Sequence, residues 1–301
     1  MRTESLRDVL SQFPDIDGYW NFDNLGLTEK DIREQLSNQK VSSGKVVELL
    51  TLLARVQGLS GNLSEAGATL LVAKDLLLKD DEAANGRAQI RFLIEQGRFL
   101  GLSMNPSQAI PHFLKAWELA VKENETFFSI EAAVMLSISQ PPKSQNDSLQ
   151  KIIELAETTE DEQAKLWLPQ LYVMEGWHNF DFRKYENALA SFQKAMARPQ
   201  PSQDATKILS TRWAIGRTLR ALNRFSEALN AQREILSELH GAGKVNGHVF
   251  LELGECLQLG KNHVEATAYF ELAYKELALD GWYRDNKSSE LSRIQHLSKK
   301  K

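Results

Sequence analysis

The stretch KYENALASFQKAMARP, residues 184–199, carries small and aromatic residues at a fixed helical spacing. Ala188 lies twelve residues after Gly176, Phe192 lies four residues further on, and Ala195 lies three beyond that. Residues three or four apart share one face of an α-helix. The stretch is therefore predicted to be a helix that packs closely along one face.

The same spacing recurs along the chain about every forty residues. Counted from Gly97 or Gly254, the same steps again reach an alanine, a phenylalanine and an alanine, and three weaker copies also occur. The six starting residues, called anchors below, are 43, 40, 39, 40 and 38 residues apart: Ala54, Gly97, Ser137, Gly176, Gly216 and Gly254. Self-similarity at a fixed period is the signature of a repeat protein. It predicts six helix-turn-helix repeats.

Small residues at the anchors are expected to let the first helix of each repeat approach the second. The spacing predicts that the alanine twelve residues on faces the anchor, since close helix packing depends on small contact residues. The large residue and the alanine that follow are predicted to face the next repeat. N-caps of the second helices are predicted at Ser64, Ser107, Asp147 and Ser226.

The composition and charge are those of a soluble protein without a general attraction for nucleic acid or membrane. The 301 residues are 42% hydrophobic and 25% charged, with a formal net charge of −4. A weakly acidic chain is not drawn to polyanions as a whole. The single cysteine, Cys256, favours a reducing compartment, and neither a signal-peptide core nor an 18-residue apolar run occurs. We expect a cytoplasmic protein with no nucleic-acid or membrane partner.

No motif in the sequence supports catalysis. The six histidines lack the spacing of metal ligands. The sequence GAGK at 241–244 lacks the features of a phosphate-binding loop, because Glu238 stands where a glycine is needed and Val245 where Ser or Thr is needed. Cys256 is interpreted as a buried structural thiol. We therefore expect no enzyme activity, no metal and no cofactor.

The repeat pattern resembles the tetratricopeptide repeat family from about Val41 to Asp280. The copies at Gly97, Gly176 and Gly254 match it strongly, although the period exceeds the family's usual length of about 34 residues. The resemblance implies an all-α fold, a right-handed superhelix of paired helices. The order of motifs, including GYWNFDNLGLTEKDIREQL and RWAIGRTLRALNRFSEAL, is also similar to a group of mostly bacterial tetratricopeptide proteins of about this length and of unknown function.

Terminal segments are predicted to close the two ends of the repeat stack, as solenoids require. The chain is predicted to have three parts: residues 1–40, an N-terminal capping segment; 41–280, the repeat domain; and 281–301, a capping helix with a basic tail. In the first part, Trp20 and Phe22 are expected to pack beneath a short helix that contains Ile32 and has Thr28 as its N-cap.

The resemblance also implies where a partner would bind. In this family the first helices line the concave wall, through residues six and three before the anchor and one and four after it. These positions and their neighbours in the first helices give the following candidate peptide-binding groove: Arg55, Arg91, Arg98, Trp177, Phe180, Trp213, Arg217, Arg220 and His248. Arg and Trp are enriched at binding hot spots, and Arg captures carboxylates with two hydrogen bonds. We hypothesise a groove for a protein or peptide segment that is acidic and has an apolar anchor.

A structural role for the same side chains remains an alternative. The tryptophans can pack between neighbouring helices, and the arginines can pair with surface acids. A clamp for heat-shock chaperone tails is not expected, because the positions that would hold its lysine and asparagine set carry other residues: Thr51, Arg55, Ile94, Arg98 and Val134.

Three functions are compatible with the sequence. The first is a binding scaffold or adaptor without catalysis. The second is a regulator whose groove takes a signalling peptide or a small anionic ligand and changes superhelical shape. The third, an RNA-binding helical array, is disfavoured by the acidic charge balance and by the lack of a per-repeat polar code. Self-association into a homo-oligomer remains possible.

Overall fold

The structure, a computed structural model, describes residues 14–21, 24–38, 40–81, 83–103, 106–139, 142–198 and 205–299. Every regular element within these ranges is helical, and they contain no β-strand. The helices in chain order are α1 (Leu25–Leu36), α2 (Ser43–Leu59), α3 (Leu63–Lys79), α4 (Gly86–Leu102), α5 (Pro106–Lys122), α6 (Thr126–Ile138), α7 (Pro142–Thr158), α8 (Glu162–Lys165), α9 (Leu168–Asp181), α10 (Tyr185–Ala197), α11 (Ala205–Ala221), α12 (Phe225–Gly241), α13 (Gly247–Leu259), α14 (His263–Leu277), α15 (Gly281–Asn286) and α16 (Ser288–Leu297).

The helices pair as the forty-residue period predicts. Each anchor lies in the first helix of a pair, and the three residues that follow it in the pattern lie in the second helix. The pairs are α2 with α3, α4 with α5, α6 with α7, α9 with α10, α11 with α12, and α13 with α14. All of the pattern residues are buried, in the strong and the weak copies alike. The predicted all-α repeat architecture is confirmed.

The chain divides into two compact units. The first comprises the described residues up to Tyr172, and the second comprises Val173–Arg198 together with residues 205–299. The first unit therefore contains the repeats anchored at Ala54, Gly97 and Ser137, and the second contains the other three. The predicted limits of the repeat domain at residues 40 and 280 remain predictions.

A glycine anchor is required because an aromatic ring from the second helix lies over it. A Cβ atom on Gly176 would stand 2.5 Å from Cε1 of Phe192, sixteen residues later in α10. The same contact joins Gly97 to Phe113 and Gly254 to Phe270. The pattern predicts that the alanine twelve residues on faces the anchor and that the ring faces the next repeat. In the structure the ring also covers the anchor, because it fills the space left by the missing side chain.

The fifth repeat uses a polar residue in the place of that ring. A Cβ atom on Gly216 would stand 2.4 Å from Nε2 of Gln232, which is completely buried. The same Nε2 donates a hydrogen bond of 3.1 Å to the carbonyl oxygen of Trp213 in α11. A buried amide needs such a partner, so the degenerate copy keeps the geometry of the repeat while changing its chemistry.

The second helices begin earlier than predicted. Ser64 and Ser226 lie inside α3 and α12, which begin one residue before them; Ser107 and Asp147 likewise lie inside α5 and α7. These four N-cap predictions are wrong. The turn explains the difference for α12: Asn223 has a positive φ angle of 60°, and the helix begins two residues after it.

The N-terminal helix is also capped earlier than predicted. Asn24 is the N-cap of α1, and its side-chain oxygen accepts a hydrogen bond from the Leu27 N–H at 3.2 Å. Thr28 is instead completely buried, and its hydroxyl oxygen accepts from the Asn21 N–H at 2.8 Å. Asparagine caps as well as threonine does, which explains the shift. Phe22 lies outside the described residues.

Both terminal helices pack on apolar clusters of the repeats next to them. Trp20 and Ile32 join a cluster with Val56 of α2, as predicted for the N-terminal segment. At the other end Ile294 of α16 is completely buried in a cluster that includes Phe270 of α14. Lys300 and Lys301, the last residues of the predicted basic tail, lie outside the described residues. In the described part of the chain, no helix has the length and apolar character needed to cross a membrane.

Replacing Gly176 by alanine tests the contact with the ring of Phe192. The added methyl group would overlap a rigid ring, so we expect Gly176→Ala to lower the free energy of unfolding by about 1–3 kcal/mol in urea denaturation. Gly241→Ala is the control. Gly241 is the last residue of α12, and a Cβ atom there would have no neighbouring atom within 4 Å. It should be neutral or stabilising by up to about 1 kcal/mol. Equal effects of the two variants would show that the ring does not select glycine.

Candidate functional site

In the first unit, two of the predicted arginines lie in a buried network of ion pairs. Arg55 donates to Glu95 at 2.7 Å through Nε and to Glu131 at 2.9 Å through Nη2. Arg98 donates to Glu131 at 2.6 Å and also to Glu95. The four side chains come from α2, α4 and α6. The network therefore links the first helices of three successive repeats.

The charges of this network stabilise one another. Burial alone would raise the pKa of Glu131, but Arg98 and Arg55 outweigh it and hold that pKa below its usual value. Burial likewise disfavours the charged form of Arg55, yet Glu95 and Glu131 raise its pKa. Glu131 and Arg55 therefore stay ionised at neutral pH. Removal of one would leave an opposite charge buried without its partner, which is strongly destabilising.

Arg91 is also buried, beside the N-terminal segment. Its two terminal nitrogens donate to the carboxylate of Asp17 at 3.1 and 2.7 Å, and Nη1 lies 3.7 Å from Glu48. The side chains of Arg91 and Arg98 are only 5% and 2% exposed. Acids from neighbouring segments cover both arginines in this structure, as the structural alternative holds, and their place in a peptide-binding groove remains a prediction.

Sequence reasoning missed the acidic partners of these arginines. Glu48 and Glu131 stand six residues before the anchors Ala54 and Ser137, which is one of the four predicted lining positions. The same register would have found them. Glu95 stands two residues before its anchor, a position that the register leaves out. Opposite charges at lining positions of adjacent repeats are the signal that separates paired arginines from open ones.

In the second unit, four aromatic side chains form a row, called the aromatic row below. Trp177, Trp213 and His248 are predicted groove residues on first helices, and Tyr283 of α15 extends the row. Its ring centroids are 6.0 Å apart between Trp177 and Trp213, 5.9 Å between Trp213 and His248, and 5.5 Å between His248 and Tyr283. Trp213 also donates from Nε1 to the carbonyl oxygen of His248 at 3.2 Å. The two tryptophans are half-buried and His248 is exposed. The row is thus both packed and accessible.

Arg217 lies against this row. Its Cζ atom is 5.3 Å from the ring centroid of Trp213 and 5.5 Å from that of Phe180. Both distances are in the cation–π range. Within the described residues, its ionic contact is a 3.8 Å approach of Nε to Glu252, and 38% of the side chain is exposed. Arg217 is therefore in contact with two rings while its side chain is partly exposed.

Arg220 has a different role from Arg217. It donates two hydrogen bonds to Glu252, of 2.7 and 3.0 Å, and the side chain of Glu252 is only 2% exposed. Glu252 stands two residues before Gly254, as Glu95 does before Gly97. Arg220 is thus the structural partner of a buried carboxylate, and its part in a peptide-binding groove remains a prediction.

Two further groups near this surface are uncharged at neutral pH. Desolvation and the charge of Arg217 lower the pKa of His248 below its usual value. Cys256 is buried, and its burial raises the thiol pKa to about 12. This confirms its interpretation as a structural thiol. Among the described residues, no group of three His, Cys, Asp or Glu side chains is arranged to hold a metal ion.

Solved structures show which fold this geometry belongs to. The chain superposes on a Signal Transduction ATPase with Numerous Domains that has a tetratricopeptide repeat sensor, from Pyrococcus horikoshii, with a TM-score of 0.64 and 14% identity over 90% of this chain. The present chain therefore has a tetratricopeptide-like helical solenoid fold. The chain spans only 41% of the length of that protein.

Two further structures share this fold. The apo form of RapI gives a TM-score of 0.63 and 13% identity over 85% of this chain and 71% of its own. The apo form of the quorum sensor NprR from B. thuringiensis gives 0.55 and 13% over 90% of this chain and 80% of its own. No protein-family model and no curated protein sequence matches the chain.

Glu131→Gln tests the buried network of the first unit. The change leaves Arg55 and Arg98 short of a carboxylate, so we expect a loss of about 3–5 kcal/mol in the free energy of unfolding at pH 7. Because the pKa of Glu131 is lowered by folding, its contribution is present above its usual pKa of 4.5 and is lost as pH falls through the folded value. The gap between wild type and variant should therefore narrow on acidification.

Asp75→Asn is the matched control for that experiment. Asp75 forms an exposed i,i+4 ion pair with Lys79 on α3, so its loss should change stability by less than about 0.5 kcal/mol. Urea titrations from pH 3.5 to 7 would measure both variants. Equal losses, or a constant gap between wild type and Glu131→Gln at every pH, would contradict a stabilising buried network.

Arg220→Gln and Arg217→Gln separate the structural from the accessible arginine. Arg220→Gln leaves Glu252 buried without its bidentate partner and should cost about 3 kcal/mol of unfolding free energy. Arg217→Gln removes only partly exposed cation–π contacts and should cost about 1 kcal/mol or less. Urea denaturation at pH 7 compares them. The reverse order would mean that Arg217, and not Arg220, supports the fold.

Proposed function

We propose that this chain is a non-catalytic binding protein that recognises a peptide or protein segment through Arg217 and the aromatic row of its second unit. The observation that carries the proposal is Arg217, whose guanidinium lies against both Phe180 and Trp213 while its side chain is partly exposed. A cation fixed in this way loses little freedom when a ligand binds, and such preorganisation favours affinity.

The charge balance beside Arg217 favours an acidic ligand. Glu252 is hydrogen-bonded on both oxygens by Arg220, so the second arginine adds a positive charge that no buried acid fully matches. The guanidinium of Arg217 suits a carboxylate. The half-buried faces of Trp177 and Trp213 offer an apolar surface next to it. The ligand that fits combines an acidic side chain with an apolar anchor.

A ligand-responsive regulator is the second candidate function. Two proteins with this fold are named sensors: the tetratricopeptide repeat sensor from Pyrococcus horikoshii and the quorum sensor NprR. A regulator must change shape when its ligand binds, whereas a scaffold need not. Small-angle scattering with and without a saturating peptide separates them: a changed radius of gyration supports the regulator, and an unchanged one supports the scaffold.

Selection from a random dodecapeptide library tests the proposed binding. Wild type should enrich peptides that contain acidic residues beside an aromatic one, and Arg217→Gln should recover them at least about tenfold less. Arg233→Gln is the control, because Arg233 is a partly exposed, ion-paired arginine on α12. It should behave as wild type.

Two outcomes would overturn this proposal. One is equal recovery by wild type and Arg217→Gln, and the other is enrichment of basic or uncharged peptides. Retention of single-stranded RNA by wild type but not by Arg217→Gln would point instead to the RNA-binding function.

A further inference from the structure

The N-terminal segment, defined as residues 14–21 (PDIDGYWN), forms a compact turn. The carboxylate of Asp15 accepts hydrogen bonds from the N–H groups of Asp17, Gly18 and Trp20 at 3.0, 2.9 and 2.9 Å. Gly18 has a φ of +75°, a conformation that glycine adopts without strain. The turn fixes the relative positions of Asp17 and Trp20, both of which contact the repeats.

Asp17 binds cations from two successive repeats. It accepts the bidentate pair from Arg91 of α4, and it lies 3.5 Å from Nζ of Lys45 of α2. Its side chain is only 7% exposed. Although burial opposes ionisation, Arg91 and Lys45 hold the pKa of Asp17 below its usual value. Asp17 is thus an ionised carboxylate on a basic surface.

Trp20 supplies an aromatic contact three residues further on. The Cζ atom of Arg55 lies 5.7 Å from its ring centroid. Tyr19 and Trp20 also pack on an apolar cluster that includes Leu52 and Val56 of α2. The segment therefore binds as an acidic group with an aromatic anchor, which is the ligand chemistry that the arginines of this fold are expected to select.

The ion pairs of this surface, called the arginine surface below, join charged side chains of neighbouring repeats. The cations are Lys45, Arg55, Arg87, Arg91 and Arg98, and the acids besides Asp17 are Glu48, Glu95, Glu125 and Glu131. Asp17 is the acid that Arg91 binds through both terminal nitrogens. Among the described residues, the next carboxylate paired with Arg91 is Glu48, at 3.7 Å, so the departure of Asp17 would leave Arg91 able to bind another carboxylate.

The chain can leave this surface without losing its connection to α1. The N–H of Asn21 donates to the Thr28 hydroxyl at 2.8 Å, and Thr28 is buried within α1. This bond lies outside the contacts made by Asp17 and Trp20. Residues 14–20 can therefore detach as a unit while Asn21 stays fixed to the helix.

We propose that residues 14–21 are a resident occupant of the arginine surface, and that this surface accepts in their place a partner segment with an acidic side chain three residues before an aromatic one. Partner and resident segment compete, so an external peptide must overcome a tethered ligand whose effective concentration is of millimolar order. A weakly binding peptide therefore cannot displace the segment, whereas a sufficiently tight one can. This proposal is independent of the one made for Arg217.

Binding of a synthetic copy of the segment tests the proposal. The probe is fluorescein-labelled PDIDGYWN peptide with an amidated C-terminus, followed by fluorescence anisotropy against the full chain. Asp17→Asn/Trp20→Ala should release the resident segment and bind the probe at least about tenfold more tightly than wild type. Adding Arg91→Gln should abolish that gain, and adding Arg217→Gln should leave it unchanged.

Two controls keep the binding result specific. A probe with the sequence PDINGYAN should not bind, because it lacks both the carboxylate and the indole. The protein control is Asp31→Asn/Trp282→Ala, which makes the same two kinds of change at exposed residues that are not among the ion-paired side chains of this surface, and it should behave as wild type. No binding of the probe by a folded Asp17→Asn/Trp20→Ala variant, as judged by circular dichroism, would overturn the proposal.

Hydrogen exchange of the wild-type chain decides the question if the double variant does not fold. A saturating unlabelled peptide, acetylated and amidated so that its mass differs from that of the protein's own fragments, should speed amide exchange at Gly18 and Trp20. The Asp15 turn that protects these amides is local to the segment, so it should open more often once the segment no longer packs on the repeats. Unchanged exchange with the peptide bound, or no binding at all, would show that the segment is a permanent cap.

Discussion

The repeat architecture depends on one steric constraint, the contact between an anchor in the first helix and a side chain sixteen residues later in the second. At Gly176 the ring of Phe192 occupies the volume that any side chain would need. The constraint acts on the backbone, because only glycine brings the helix axis this close. It tolerates a change of chemistry, since Gln232 takes the place of the ring over Gly216. Shape, more than hydrophobicity, is what the four repeats with a glycine anchor have in common.

Fixing the two helices of each repeat also fixes which face the first helix shows to its neighbours. In the first unit, this face places Arg55 and Arg98 beside Glu95 and Glu131, so that ion pairs continue from one repeat to the next. The presence of buried ion pairs is weak evidence for net stability, but the loss of one partner from such a pair strongly destabilises the fold. They therefore favour one alignment of the repeats over others. Here the charges act mainly as a constraint on packing.

The sequence alone supplies most of the fold and less of the site. Period and helix pairing follow from spacings such as Gly176 to Phe192, because packing acts on every repeat alike. Helix starts were missed at Ser64 and Ser226, where the turn geometry and not the side chain decides the boundary. The sequence also did not show which arginines are paired with acids and which are open, for a similar reason. Whether Arg91 is open or paired depends on Asp17, which lies 74 residues away in the chain, and no local pattern reports such a distance.

Whether an arginine of a repeat surface can bind a further carboxylate therefore depends on how many arginines share each nearby acid. In the first unit, the acids of neighbouring helices and of the N-terminal segment nearly match the cations, and Arg98 is buried among them. In the second unit, Arg217 and Arg220 share Glu252, whose oxygens are both hydrogen-bonded by Arg220. The aromatic rings beside Arg217 stabilise its charge without neutralising it, since a ring quadrupole attracts a cation but accepts no proton and forms no ion pair. A surplus cation on aromatic support keeps its capacity for a carboxylate, whereas a paired one has already used it. The same sequence signal, an arginine at a lining position, thus has opposite consequences in the two units, and the acid partner determines which applies.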